Sequence, residues 1–192
     1  MKLVVGLSGA SGVIYGIRFL EALRRAGVES HLVLTPPAQR IIRIETDYLV
    51  EAVKALATRV YAPDDIGAAI ASGSFPMDGM VVVPCSVKSM AAIAYSHSDN
   101  LLVRAADVTL KERRRLVLVV RETPLHLGHL RAMVRLSEMG AVILPPVPAF
   151  YHAPQTVDDI VNHTVGKALD LFEIEHALFK RWTGSASSFD AS

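Results

Sequence analysis

Cysteine is almost missing from this chain: Cys85 is the only one in 192 residues. No intramolecular disulfide can form, and a reducing compartment, by default the cytoplasm, is expected. No apolar run reaches the roughly 20 residues needed to span a bilayer. The first residues, Lys2-Leu-Val-Val-Gly-Leu7, enter a strand-like stretch directly, without the regions of a secretory leader. An excess of either charge is lacking too. Lys and Arg number 20 against 19 Asp and Glu, a net +1, so no overall field favours nucleic acid or an anionic membrane surface. There is no internal repeat and no domain-scale linker. One domain over 1–182 is expected, followed by a flexible Ser/Ala-rich tail at 183–192.

What the chain has is apolar content, 51% of its residues, enough for a substantial core. Its mean hydropathy of +0.34 suggests that some apolar surface is covered by further copies of the chain. Short Val/Ile/Leu-rich runs at 3–7, 31–34, 59–61, 80–83, 116–120 and 141–144 read as strands. Between them, helical patterns fall near 15–25, 36–44, 66–72, 88–94, 101–112 and 127–139, with a long one over about 156–172. Strands apolar at nearly every position are covered on both faces, and their alternation with helices predicts a Rossmann-like, doubly wound parallel α/β sheet.

The stretch Gly6-Leu-Ser-Gly-Ala-Ser-Gly12 ends the first strand and opens a helix. Small residues let a ligand approach the backbone, and the first helical N–H groups favour a phosphate. The spacing is not the dinucleotide fingerprint G-x-G-x-x-G, and no acid follows the second strand to hold a ribose. Nor is it the G-x-S-x-G nucleophile elbow.

Ligands in such sheets lie beyond the carboxyl ends of the strands. The residues delivered there are Ser8 to Ser11, Thr35 with Pro36, Pro84-Cys-Ser-Val-Lys-Ser89, Arg121-Glu122 and the Pro145–Tyr151 stretch. N–H-rich turns, hydroxyls and an Arg beside a carboxylate suit a phosphorylated small molecule with an apolar body. His126 and His129 are two histidines without a third ligand, too few for a zinc site. Cys85, just after an apolar run, reads as a small buried hydrophobe rather than a nucleophile. Lys111-Glu-Arg-Arg-Arg115 taken alone reads as a solvated helix end.

Taken together, Gly6–Gly12, Ile44-Glu-Thr46, Ser72-Gly-Ser-Phe75, Pro84-Cys-Ser86, Arg104-Ala-Ala-Asp107, Leu110-Lys-Glu-Arg-Arg114, Arg121-Glu-Thr-Pro124 and Pro148-Ala-Phe-Tyr-His152 resemble the UbiX-type flavin prenyltransferases. These belong to a flavin-binding group that also includes peptidyl-cysteine decarboxylases. The resemblance implies a Rossmann-like subunit assembled into a dodecamer. It implies transfer of the dimethylallyl group of dimethylallyl phosphate to reduced FMN, without a metal. The product would be prenylated FMN for a UbiD-type decarboxylase.

Position by position, the resemblance implies flavin contacts at Gly9, Ala10, Ser11, Thr35, Ser86, Val87, Lys88, Ser89 and Arg121. It implies donor contacts at Arg104, Lys111, Arg121, Glu122, Tyr151 and Lys167. Ser11 and Glu45 would lie near the reacting flavin nitrogen, and Trp182 beside the prenyl group. Glu122 and Lys111 join them as expected catalytic groups. Thr35 stands where the family commonly has Ser, and Lys167 where many members have Arg, which gives up bidentate phosphate binding. Two other readings share the fold: an FMN-binding small subunit of a hydroxyarylic acid decarboxylase, and a flavin-dependent cysteine decarboxylase. The latter's catalytic His and Asn-containing motif are not found in this sequence.

Overall fold

The first strand runs through the middle of a six-stranded sheet in the computed structural model, which describes residues 1–182. The tail expected at 183–192 lies outside the described residues. In chain order the elements are β1 (Lys2–Leu7), α1 (Val13–Arg25), β2 (Glu29–Leu34), α2 (Pro36–Glu45), α3 (Val50–Lys54) and β3 (Arg59–Tyr61). There follow β4 (Gly79–Cys85), α4 (Val87–Ala94), α5 (Leu101–Lys111), β5 (Arg115–Val120), α6 (Leu127–Glu138), β6 (Val142–Ile143) and α7 (Val157–Asp170).

The sheet order is β3-β2-β1-β4-β5-β6, with every pairing parallel. β1 lies against β2 from Lys2↔Glu29 to Leu7↔Leu34, and on its other side against β4 from Leu3↔Gly79. The chain leaves β1 toward β2 and later returns to β4 on the opposite side. This reversal of direction opens a crevice beyond the carboxyl ends of β1 and β4.

Side-chain alternation divides the core into two layers. Leu3, Val5, Leu7, Val81, Val83, Val117 and Val119 face the layer of α1 and α7, with Ile17, Leu20, Val165 and Leu169 among its buried residues. Val4, Met80, Val82, Leu116, Leu118 and Val120 face α4, α5 and α6, among them Met90, Leu102 and Leu136. α1 lies close on the sheet because residue 16 is glycine: a Cβ there would stand 2.4 Å from the Val83 carbonyl oxygen. No helix among the described residues is long and apolar enough to cross a membrane.

The structure differs from the sequence reading at three places. The helical pattern at 66–72 forms only a 3-10 turn, Ala69–Ala71. α3 was not expected; its five residues are too few for a periodic signal, and burial of Val50 and Val53 holds it. β6 has two residues instead of four, because the following Pro145-Pro-Val-Pro148 offers few donors to a ladder.

Candidate active site

The crevice is built from Ser8 outward. Its hydroxyl is buried, donates to the Pro84 carbonyl (2.8 Å) and accepts the Ser86 N–H (2.7 Å). The turn after β1 is thereby tied to the turn after β4. Ser86 is the N-cap of α4, its Oγ accepting from the Ser89 N–H at 3.2 Å. The N–H groups of Val87 and Lys88, in the first turn of α4, have no carbonyl to bond within the helix.

These turns border a cleft of about 470 Å³, in the usual range for a small-molecule site. All nine residues expected at the flavin line it: Gly9, Ala10 and Ser11 after β1, Thr35 after β2, Ser86 through Ser89 on α4, and Arg121 after β5. Glu122 lines it as well. Gly9 keeps the floor open to backbone, since a Cβ there would stand 2.4 Å from the Pro37 side chain. Thr35 caps α2 through Ala38 N–H (3.3 Å) and spends its own proton on the Leu7 carbonyl (3.1 Å). Burial pushes the Tyr15 phenol up from its ordinary value, and the Arg121 cation partly opposes the shift. Arg121 therefore places its charge near the start of α1.

The cleft also takes in residues that the sequence reading missed: Pro63, Asp99, Asn100 and Val103. Asn100 caps α5 by accepting from Val103 N–H (3.1 Å), and the Pro63 carbonyl accepts from Leu101 N–H (2.7 Å). Asn before an apolar run is an N-cap signal that could have found it.

One expectation is corrected. The N-terminus of α1, read as a phosphate site, is taken by Glu45: its carboxylate accepts from Gly12 N–H (2.8 Å) and Val13 N–H (3.2 Å). Gly12 supplies no side chain to cap that helix, so the acid at the end of α2 does so. Glu45 thus bonds the residue after Ser11 but is outside the cleft lining. The α4 start remains open to an anion.

The expected donor set is not brought together within one chain. Arg121 and Glu122 share the cleft with Ser11 and Ser86. Arg104 lies one turn along α5 from Asn100, paired with Asp107 (2.9 Å) and bonded to the Ala71 carbonyl (3.2 Å). Lys111 is at the far end of α5, about 16 Å below Asn100 at 1.5 Å per residue, where it pairs with Glu112. Tyr151, Lys167 and Trp182 belong to the α7 side: Tyr151 bonds His163 on α7 (2.8 Å), and its ring meets Trp182 edge-on at 5.9 Å. The reason is the layering. α5 covers one face of the sheet and α7 the other, so side chains low on the two helices cannot meet in a single subunit.

Other residues find structural roles. Arg114, in the basic run, clamps the loop before β4 by donating to the Gly73 (2.8 Å) and Phe75 (3.0 Å) carbonyls. His126 caps α6 through Gly128 and His129 N–H groups. Cys85 is fully buried, and burial pushes its thiol up to about 12, which agrees with its reading as a small hydrophobe.

A Rossmann-like sheet with a crevice at its switch point, lined by a hydroxyl-capped helix start and by Arg121 and Glu122, has the features of a site for a phosphorylated small molecule. The Flavoprotein family model matches residues 1–169. The flavin prenyltransferase UbiX of Thauera aromatica is 60% identical over 96% of this chain and 95% of its own length. The crystal structure of AnUbiX in complex with FMN and dimethylallyl pyrophosphate superposes with a TM-score of 0.95 at 50% identity, over 96% of this chain and 98% of that one. A dodecameric FMN-dependent UbiX-like decarboxylase from Escherichia coli O157:H7 gives 0.94 at 51% identity, over 96% of this chain and all of that one. The chain belongs to the UbiX-type flavin prenyltransferases of the Flavoprotein family.

Proposed function

We propose that this chain joins the dimethylallyl group of dimethylallyl phosphate to reduced FMN, with the flavin in the cleft between the β1, β4 and β5 turns. Its family membership makes it an FMN-using transferase. The observation that carries the reading is that Arg121 and Glu122 line the same cleft as Ser11 and the open start of α4. The residues fit FMN: the Val87 and Lys88 N–H groups, with the Ser86 and Ser89 hydroxyls, suit its phosphate. Small residues at Gly9 and Ala10 leave room for the ring system. When bound in reduced form, FMN supplies the nucleophilic ring atoms to which the prenyl group is joined.

The side chains do the rest. The leaving phosphate gains charge as its ester bond breaks, so fixed cations at Arg121, Arg104, Lys111 and Lys167 stabilise the transition state more than the ground state. Glu122 moves a proton at the rim. Tyr151 and Trp182 offer aromatic faces to an allylic cation and keep water from capturing it. Ser11 and Glu45 order the edge of the cleft nearest the reacting nitrogen.

The donor half of the site is completed where copies of the chain meet. The Escherichia coli neighbour is dodecameric, and α6 here exposes Leu127, Leu130 and Val134 on one face, an unpartnered apolar stripe suited to a second copy. We place the enzyme in the cytoplasm, where a UbiD-type decarboxylase receives the product.

The test is anaerobic incubation of the purified protein with reduced FMN and dimethylallyl phosphate, followed by mass analysis of the released flavin. A flavin heavier by one dimethylallyl unit is expected. Bound flavin of unchanged mass, with either the monophosphate or the diphosphate donor, would leave only a binding subunit.

A further inference from the structure

Tyr151 is half exposed, yet its hydroxyl is anchored inward, 2.8 Å from Nε2 of His163, a residue only 7% exposed. The His163 ring is held on two sides. His152 stacks on it with centroids 4.8 Å apart and planes 8° from parallel, and Phe179 lies against it at 4.7 Å. Lys167 follows one helical turn later on α7. His163 has no role in the reaction as described so far.

A phenol carries a single proton. If Tyr151 donates it to His163, none is left for an anion. If His163 instead carries a proton on Nε2 and donates it to the phenol oxygen, the Tyr151 proton is free to bond a phosphate oxygen. We propose that His163 is a positioning residue for the transfer, its Nε2–H fixing the Tyr151 oxygen so that the phenol proton meets the leaving phosphate. This rests on the reading of Tyr151 as a donor contact; the placement of the proton on Nε2 is our assignment.

The charges around the ring agree with a neutral His163 whose tautomer is set by this bond. Burial holds its pKa below the ordinary histidine value, and His152 and Lys167 push the same way, while Asp170 opposes them. Asp170 is itself engaged by Arg181 (2.6 Å) and His176 (3.1 Å). A phosphate arriving at Tyr151 favours protonation of the ring, which strengthens the same bond without reversing it.

Four variants test this: His163→Phe, His163→Gln, Tyr151→Phe, and the double variant His163→Phe/Tyr151→Phe. Phe keeps a ring in the stack but has no donor; Gln restores one. His163→Phe is expected to raise the KM for dimethylallyl phosphate about tenfold, the scale of one lost hydrogen bond to a charged group, with FMN affinity unchanged. His163→Gln should recover most of that loss, and the double variant should be no worse than Tyr151→Phe alone.

A wild-type donor KM in His163→Phe, with a raised one in Tyr151→Phe, would overturn the role of His163 and leave Tyr151 standing. A wild-type donor KM in Tyr151→Phe would instead overturn the assignment beneath it, and the proposal with it. Should His163→Phe not fold, the pH profile decides. The donor KM of the wild type should fall more steeply toward acid than that of His163→Gln, the donor's own titration being common to both. Superimposable profiles would contradict the proposal.

Discussion

The Glu45 carboxylate accepts the Gly12 N–H at 2.8 Å across 33 residues of sequence, and the next N–H, from Val13, at 3.2 Å. An acid at the end of α2 thus serves as the cap that Gly12 lacks, and it fixes the turn that carries Ser11. Glu45→Ala should cost about 1 kcal/mol of unfolding free energy, the usual value of a lost N-cap. Glu45→Gln, which can still accept a bond, should cost less. Urea titration of both variants checks the order; equal stability of Glu45→Ala and wild type would contradict the capping role.

Ser8 ties together the two turns that border the cleft. Its buried hydroxyl serves two backbone groups, Pro84 C=O and Ser86 N–H. Ser8→Ala leaves the part-buried Ser86 N–H without its acceptor, while the Pro84 carbonyl keeps the Ser8 backbone N–H at 3.2 Å; one such loss typically costs about 1–3 kcal/mol. Because Ser86 begins α4, FMN affinity should weaken along with stability. A destabilised variant that binds FMN as tightly as wild type would detach Ser8 from the site.

The nine cleft residues were legible for a simple reason. Each follows an apolar run directly, and in a doubly wound sheet the carboxyl ends of the runs define the site. Local signals sufficed for Thr35 and Ser86, both hydroxyl caps just before helices. The contact of Glu45 with Gly12 was not legible, since nothing local to Gly12 tells which distant acid reaches it. The resemblance placed Lys111 and Tyr151 in one donor set. The sequence patterns alone do not show that α5 and α7 cover opposite faces of the sheet, so the separation of the two residues became visible only in the fold. Asn100 was within reach of the capping rules but stood in a polar stretch, Ser96-His-Ser-Asp-Asn100, that reads as a plain loop.

Cys85 gives a test of burial. A thiol pushed up to about 12 and fully enclosed should resist alkylation in the native protein at mildly alkaline pH, because the thiolate is the reactive form. Labelling should become complete on unfolding. Rapid modification of the folded protein, with activity lost in step, would contradict the reading of Cys85 as a buried hydrophobe and give it a functional role.

Acid should destabilise the protein partly through His163. Its folded pKa is depressed, chiefly by burial, and then by His152 and Lys167. The unfolded chain therefore binds the proton more readily. The stability is present above about 6.5, the unfolded histidine value, and is lost as pH falls through the lower folded value. His163→Gln should show a shallower loss between about pH 7 and 5 in urea titrations. Asp170 titrates in a separate, more acidic window: burial alone would raise it, but its bonds from Arg181 and His176 keep it below the usual carboxylate range. Parallel pH curves for the wild type and His163→Gln would contradict this origin of the acid sensitivity.

We propose that the cleft lined by Ser11, Ser86, Arg121 and Glu122 holds the flavin and that Glu122 serves the transfer there. The most direct measurement compares wild type with Glu122→Gln, recording FMN bound per subunit and, in the same anaerobic sample with dimethylallyl phosphate, the mass of the flavin released. Equal FMN occupancy is expected, with prenylated flavin from the wild type alone. Prenylated flavin formed at the wild-type rate by Glu122→Gln would contradict that role of Glu122.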